Sequence, residues 1–260
     1  MKTRTFSNGF KLLLSILSDG MKAVILAGGY SKRLRPITDR VPKPLVEVGG
    51  KPIVEWELEW LVHCGMKSFV FLVGYLKDKV FDYVNSRADE LGITVEYAIE
   101  ETPLGTAGAL NNARKLLQDE KEFVMMNGDT ISSVDVRNIE LGGAVAALAL
   151  VQLRSSYGIT MLDGDRITKF DEKPVLSEYW MNTGIYLMSS RIFDYLPQSG
   201  NLESTTFTQL ASKKMLRGVK FPDAYFKGVD SIKDMEEVSA DLESERAYGG
   251  VLKTRGAGKQ

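Results

Sequence analysis

Between Ala27 and Leu45 the chain reads AGGYSKRLRPITDRVPKPL, where five cations, Lys32, Arg33, Arg35, Arg40 and Lys43, face one acid, Asp39. Gly28, Gly29, Pro36, Pro42 and Pro44 interrupt the run too often for a regular helix or strand. The apolar run Lys22-Ala-Val-Ile-Leu26 precedes it, as a short buried strand would. Backbone N–H groups that follow paired glycines can approach an oxygen-rich ligand closely, and the cations behind them can neutralise it. That chemistry is a phosphate cradle; the competing reading of Gly28 to Ser31 by itself is a solvated turn. The run lacks a lysine-serine ending, and Gly28-Gly29 does not continue into Gly-x-Gly-x-x-Gly, so neither of two common nucleotide loops is present.

Four later stretches also carry polar and charged groups. Glu100 to Leu110 reads EETPLGTAGAL, a loop that opens a helix with Thr106 as the expected cap. Asn127-Gly128-Asp129 ends an apolar run, and an acid there would point into the cleft at the carboxyl edge of a parallel sheet. Glu172-Lys173-Pro174 and Asn182-Thr183-Gly184-Ile185-Tyr186 are, taken alone, a surface charge pair and a strand start.

The elements that position these groups follow from hydrophobic periodicity. Continuous apolar runs at 23–27, 69–73, 123–126 and 144–151 predict strands buried on both faces, as in a parallel sheet. Helical stripes lie between them: Val54, Leu58, Leu61 and Val62; Leu76, Val80, Tyr83 and Val84; Leu110, Ala113, Leu116 and Leu117. The alternation predicts a doubly wound α/β, Rossmann-like mixed sheet. After residue 150 short strand-like runs and an Asp163-Gly164 turn predict antiparallel additions, followed by helices over about 204–216 and 231–248.

Taken together, Gly28-Gly29-Tyr30-Ser31-Lys32-Arg33-Leu34-Arg35-Pro36-Ile37-Thr38, followed by Pro42-Lys43-Pro44-Leu45, resembles the signature of the sugar-phosphate nucleotidylyltransferases. Ser31 stands in place of that signature's third glycine. The Leu104-Gly105-Thr106-Ala107-Gly108 loop is similar to the base loop of mannose 1-phosphate guanylyltransferases, and Tyr157-Gly158, Glu172-Lys173-Pro174 and Asn182 to Tyr186 match the family's sugar-site motifs in order. The resemblance implies the family's nucleotide-diphospho-sugar transferase fold, without the C-terminal β-helix many members carry, because no repeat is visible. It implies transfer of a nucleotidyl group from a nucleoside triphosphate to a sugar 1-phosphate with release of pyrophosphate. By the same resemblance Ala27, Gly28, Gly29 and Gly105 receive the nucleotide, Glu100 reads the base edge, Glu172 and Asn182 hold sugar hydroxyls, and Gly158 lies against the sugar. Arg33, Lys43, Lys173 and Asp129 are the implied catalytic groups, Lys173 on the sugar phosphate and Asp129 on magnesium. A carboxylate at residue 100 can only accept, which suits the N–H donors of guanine and tilts the triphosphate toward GTP. Glucose 1-phosphate with dTTP or UTP is the rival pair, and a catalytically weak nucleotide-sugar-binding regulatory subunit is the rival class. A glycosyltransferase is disfavoured because the Asp-x-Asp metal motif is absent from this region.

One departure concerns the metal. The family's second magnesium aspartate falls on Gly228, in the stretch Ala224 to Asp234, and Asp230 stands two residues on. In an extended strand that shift is about 7 Å, too far for a ligand unless the chain bends, so Asp230 is the candidate second ligand and equally a candidate helix cap in competition with Ser231.

Composition narrows the class further. Thirty-three basic and 34 acidic residues give a net charge of -1, which leaves no general electrostatic footprint for nucleic acid. One cysteine, Cys64, and one histidine, His63, exclude a disulfide framework and make a zinc site or histidine-dependent triad a poor fit. Residues 1–20 are expected to be a dispensable N-terminal extension, 21–248 the nucleotidylyltransferase domain and 249–260 a flexible tail. Lys11 and Ser15 interrupt the apolar run of the extension, and with no membrane-length stretch the expectation is a cytoplasmic protein that binds no membrane, homo-oligomerisation being compatible with it.

Overall fold

The computed structural model describes residues 20–252; the expected extension up to residue 19 and the expected tail beyond residue 252 lie outside the described residues. The chain runs through β1 (Lys22–Ala27), the cation-rich connection, β2 (Glu47–Val48), β3 (Lys51–Pro52), α1 (Ile53–His63), β4 (Ser68–Val73) and α2 (Lys77–Leu91). Next come β5 (Thr94–Ile99), α3 (Gly105–Asn112), α4 (Arg114–Leu117), β6 (Glu122–Asn127), β7 (Thr130–Ser132) and β8 (Ala146–Arg154). The remainder is β9 (Ile159–Asp163), β10 (Arg166–Asp171), β11 (Val175–Ser189), α5 (Thr206–Ser212), β12 (Leu216–Lys220), β13 (Phe226–Gly228) and α6 (Ile232–Glu243).

Seven strands form one sheet in the order β12-β8-β11-β6-β1-β4-β5. The β6-β1-β4-β5 half is parallel, β11 runs antiparallel to both β6 and β8, and β12 is parallel to β8. Alternation along each central strand divides the core. Ala23, Ile25, Phe69, Phe71, Val124 and Met126 join Trp56, Leu58, Val80 and Val238 on one face, whereas Val24, Val70, Phe123 and Met125 join Leu110, Leu117 and Leu210 on the other. Helices therefore cover both faces, and the apolar strands need no polar side. The result is the expected Rossmann-like α/β sheet with antiparallel additions. Among the described residues no helix is long and apolar enough to cross a membrane.

Several boundaries differ from expectation, each for a local reason. The helix expected over 204–216 stops at Ser212, because Lys214 turns left-handed (φ 57°) and Met215 N–H closes back on Leu210 O at 2.8 Å. A lysine in that conformation gives no glycine signal for the stop, and β12 begins two residues later. The stripe through Leu110 and Leu117 is two helices that meet at Ala113, and the β9–β10 turn is Gly164-Asp165, one step beyond the expected pair. The last helix ends at Glu243, and Glu245 at φ 60° redirects the chain so that Tyr248 packs 5.9 Å from Trp56 and 5.1 Å from Trp60, ring to ring.

Tyr248 therefore belongs to the core. Tyr248→Ala is expected to lower the unfolding free energy by about 3 kcal/mol, as for other large buried aromatics, measured by urea denaturation. A change below about 0.5 kcal/mol, the range of surface substitutions, would contradict that packing role.

Candidate active site

Pro42 holds extended backbone and Lys43 opens a single 3-10 turn, Lys43–Leu45, which turns the lysine side chain inward. Its Nζ donates to Asp129 Oδ2 at 2.6 Å and to Asp230 Oδ1 at 2.7 Å. The lysine side chain is 9% exposed, the two carboxylates 35% and 39%. Arg33, 76% exposed, reaches the same Asp230 oxygen at 2.8 Å. Two cations thus balance two carboxylates. Burial pushes the Asp230 carboxyl upward, but Lys43 and Arg33 outweigh it and hold the group below its ordinary range.

The offset expected of a two-residue shift does not separate the Asp230 carboxylate from Asp129, since Lys43 bonds both. β13 ends at Gly228, and Val229 N–H donates to Asp129 O at 2.9 Å, in register with the β7–β13 pairing. Gly228 has no side chain, and Asp230 Oδ2 passes 4.0 Å from where a Cβ there would stand. Ser231 is the helix cap, accepting Asp234 N–H at 3.2 Å, so the Asp230 carboxylate stays free for Lys43. Among the described residues no group of three or more acids, histidines or cysteines could hold a metal. Asp129 and Asp230 form a two-carboxylate set, which fits magnesium when substrate phosphates and water supply the remaining ligands.

A cavity of about 280 Å³ opens beside this pair, lined by Ala27, Gly28, Gly29, Glu100 and Gly105 together with Lys43 and Asp129. Ser31 takes the left-handed conformation (φ 46°) expected of a glycine, and its carbonyl accepts from Leu34 N at 3.1 Å and Thr38 Oγ1 at 2.9 Å. Glu100 lies across two glycines: a Cβ on Gly28 would meet its Oε1 at 2.6 Å and one on Gly74 at 2.9 Å. Its Oε2 accepts from Leu104 N at 3.1 Å. The helix after this loop starts at Gly105 without a side-chain cap; the hydroxyl of Thr106 instead accepts Leu202 N–H at 2.8 Å. Gly105 is needed here, because a Cβ would stand 2.5 Å from Gly200 O. The segment around Gly200 is thereby docked on the base loop, and it brings Asn201 to the cavity wall. Sequence reading missed Asn201, since Gly200-Asn201 reads as an ordinary turn.

The remaining candidates, Gly158 just before β9, Glu172 and Lys173 in the β10–β11 turn and Asn182 on β11, do not line this cavity. Phe170 and Glu172 close over Gly158, whose added Cβ would meet them at 2.6 and 3.1 Å. Lys173, left-handed at φ 47° and largely exposed, has its Nζ 4.0 Å from Glu172. Asn182 donates to Tyr186 Oη at 3.0 Å; Tyr186 in turn donates to Glu203 at 3.4 Å, and Thr106 to the other oxygen of Glu203 at 3.4 Å. This chain of contacts links the Asn182 strand to the base loop, and Glu203 is a second residue sequence reading missed.

Below Asp129 the fully buried Glu57 of α1 accepts Thr130 N–H at 3.1 Å. Burial pushes its carboxyl well above the ordinary range, and the nearby Asp129 charge adds to the shift, against the opposing pull of the Thr130 amide and Lys43.

Unequal exposure of the two cations has a measurable consequence. Lys43→Met leaves two carboxylates facing each other and is expected to cost about 2–3 kcal/mol, less than a fully buried pair because the acids are partly exposed. Arg33→Met should cost under about 1 kcal/mol, the range of exposed pairs. Equal losses in urea unfolding would contradict the buried role of Lys43.

Residues 22–245 match the family described as nucleotidyl transferase. A mannose-1-phosphate guanyltransferase of Pichia angusta is 33% identical over 226 residues, 82% of this chain and 62% of that protein. A D-glycero-alpha-D-manno-heptose 1-phosphate guanylyltransferase of Campylobacter jejuni is 32% identical over 209 residues, 79% of this chain and 93% of that one. Among solved structures, HddC from Yersinia pseudotuberculosis complexed with GMP-PN superposes with a TM-score of 0.68 at 25% identity, over 85% of this chain and 99% of that one. The chain spans less than two thirds of the length of the Pichia angusta protein.

Proposed function

The chain belongs to the nucleotidyl transferase family, and on that premise we propose that it joins a nucleoside triphosphate to a sugar 1-phosphate with release of pyrophosphate, GTP and mannose 1-phosphate being the pair. The observation that carries this reading is the convergence of Asp129 and Asp230 on Lys43, with Arg33 on Asp230, beside the Gly28-Gly29 cavity that Lys43 and Asp129 line. A sugar phosphate is its own nucleophile, largely dianionic near neutral pH because its second pKa is about 6. No general base is needed, which suits a chain with one histidine. What the protein must do is align two mutually repelling anions and offset the charge that develops on the α-phosphate and on departing pyrophosphate. Arg33 and Lys43 serve the triphosphate, and Lys173 serves the sugar phosphate beside Glu172 and Asn182. Asp129 and Asp230 are the carboxylates that would hold magnesium, which supplies charge neutralisation to phosphate oxygens when bound.

The guanine reading rests on Glu100. Its Oε2 is taken by the Leu104 amide, and its Oε1 lies above Gly28 at the cavity wall. An acceptor there suits the N–H donors of a guanine edge. The guanylyl relatives named above point the same way.

A matrix of triphosphates against sugar 1-phosphates, read by pyrophosphate release, tests the pair: GTP with mannose 1-phosphate should be turned over fastest. Faster turnover of UTP or dTTP with every sugar phosphate would overturn the guanine assignment. Asp129→Asn should reduce release by about 10³-fold, roughly 4 kcal/mol of transition-state stabilisation, with an unchanged circular dichroism spectrum. Asp230→Asn should raise the magnesium needed for half-maximal rate. Nucleotide binding without turnover by any pair at high magnesium would replace the enzyme with a sensor.

A further inference from the structure

Glu57 is an acid that the reaction above does not use, and its placement is expensive. Its side chain is 0% exposed, and Oε2 has no hydrogen-bond partner. Burying a carboxyl in exchange for one amide hydrogen bond is unfavourable compared with a leucine or methionine of similar shape. A packing role therefore does not account for it. The single bond it makes does point to a role: Oε1 accepts the N–H of Thr130, the residue that follows Asp129. Thr130 Oγ1 in turn donates to Asp129 Oδ1 at 3.2 Å, while Lys43 takes Asp129 Oδ2 at 2.6 Å. The Asp129 carbonyl is tied to Val229 N–H at 2.9 Å, immediately before Asp230. Both oxygens of Asp129 are thus oriented, one by Lys43 and the other by a threonine whose own backbone Glu57 holds.

We propose that Glu57 is a positioning residue, which acts from α1 through Thr130 to set the direction of the Asp129 carboxylate. The proposal rests on Asp129 being a cation ligand, as the function above requires. A misdirected ligand binds its cation less tightly even where the fold is intact, so the buried acid trades stability for geometry.

The test uses the full chain with GTP and measures Mn²⁺ affinity by electron paramagnetic resonance, alongside urea unfolding. Glu57→Met removes the acceptor and keeps the volume; it should unfold at the same or higher urea concentration yet bind Mn²⁺ at least tenfold more weakly. Glu57→Gln keeps an accepting oxygen and should restore affinity to within about twofold of the unmodified protein. Thr130→Val removes only the hydroxyl link and should reproduce the weakening, which keeps the proposal testable if Glu57→Met does not fold. Wild-type affinity in Thr130→Val and in any folded Glu57→Met, while Asp129→Asn loses Mn²⁺, would overturn the proposal alone. Undiminished Mn²⁺ binding by Asp129→Asn would overturn the ligand assignment and, with it, this proposal.

Discussion

One ammonium group holds the site together. Lys43 Nζ lies within 2.7 Å of carboxylates that are 101 residues apart in the chain, Asp129 and Asp230. Two carboxylates brought together in a partly buried setting repel, and the cation between them offsets that repulsion. The lysine comes from the Pro42-Lys43-Pro44 turn, Asp129 from the end of a central parallel strand, and Asp230 from beyond a short edge strand. Their meeting therefore depends on the sheet, the proline turn and the β7–β13 pairing being correct together.

Around that point the cavity is shaped by missing side chains. Gly28 and Gly74 leave the room that Glu100 occupies, and Gly105 lets the backbone at Gly200 dock against the base loop. Gly128 does the same beneath Asp129, where a Cβ would stand 2.2 Å from Leu26 O. The chain enters the Gly28-Gly29 loop directly from β1, so small errors in the strand would be carried into the loop. The apolar layers on both faces of β1 limit such errors.

Beyond the cavity, Thr106, Glu203, Tyr186 and Asn182 form a series of polar contacts between the base loop and β11. The outer contacts are long, 3.4 Å at Glu203, and partly exposed, so they can rearrange when a ligand arrives. Gly158, Glu172 and Lys173 lie on the projecting β9–β10 side, where Leu162, Ile167 and Phe170 are each more than 60% exposed. That hairpin carries little buried area of its own and, among the described residues, pairs with no other strand.

The sequence by itself determined β1, β4 and β6, because strands buried on both faces leave uninterrupted apolar runs, whereas the half-exposed β5 leaves none and the run at 144–151 is β8, which pairs antiparallel with β11. It also pointed to residues that share one cavity: glycine, proline and cation spacing is a local property, and Gly28, Gly29 and Lys43 line that cavity together with Asp129. Only the tertiary structure decided the rest. Strand spacing from Gly228 predicts too great a distance for Asp230, whereas Lys43, reaching in from the distant proline turn, bonds Asp230 and Asp129 together. Thr106 looked like a cap because capping is local, yet its oxygen accepts from Leu202, 96 residues away. The stop after Ser212 was hidden by a lysine in left-handed conformation, which composition does not mark. Glu57 gave no signal on its helical stripe, since a buried acid is distinguishable from a surface one only when its neighbours across the core are known.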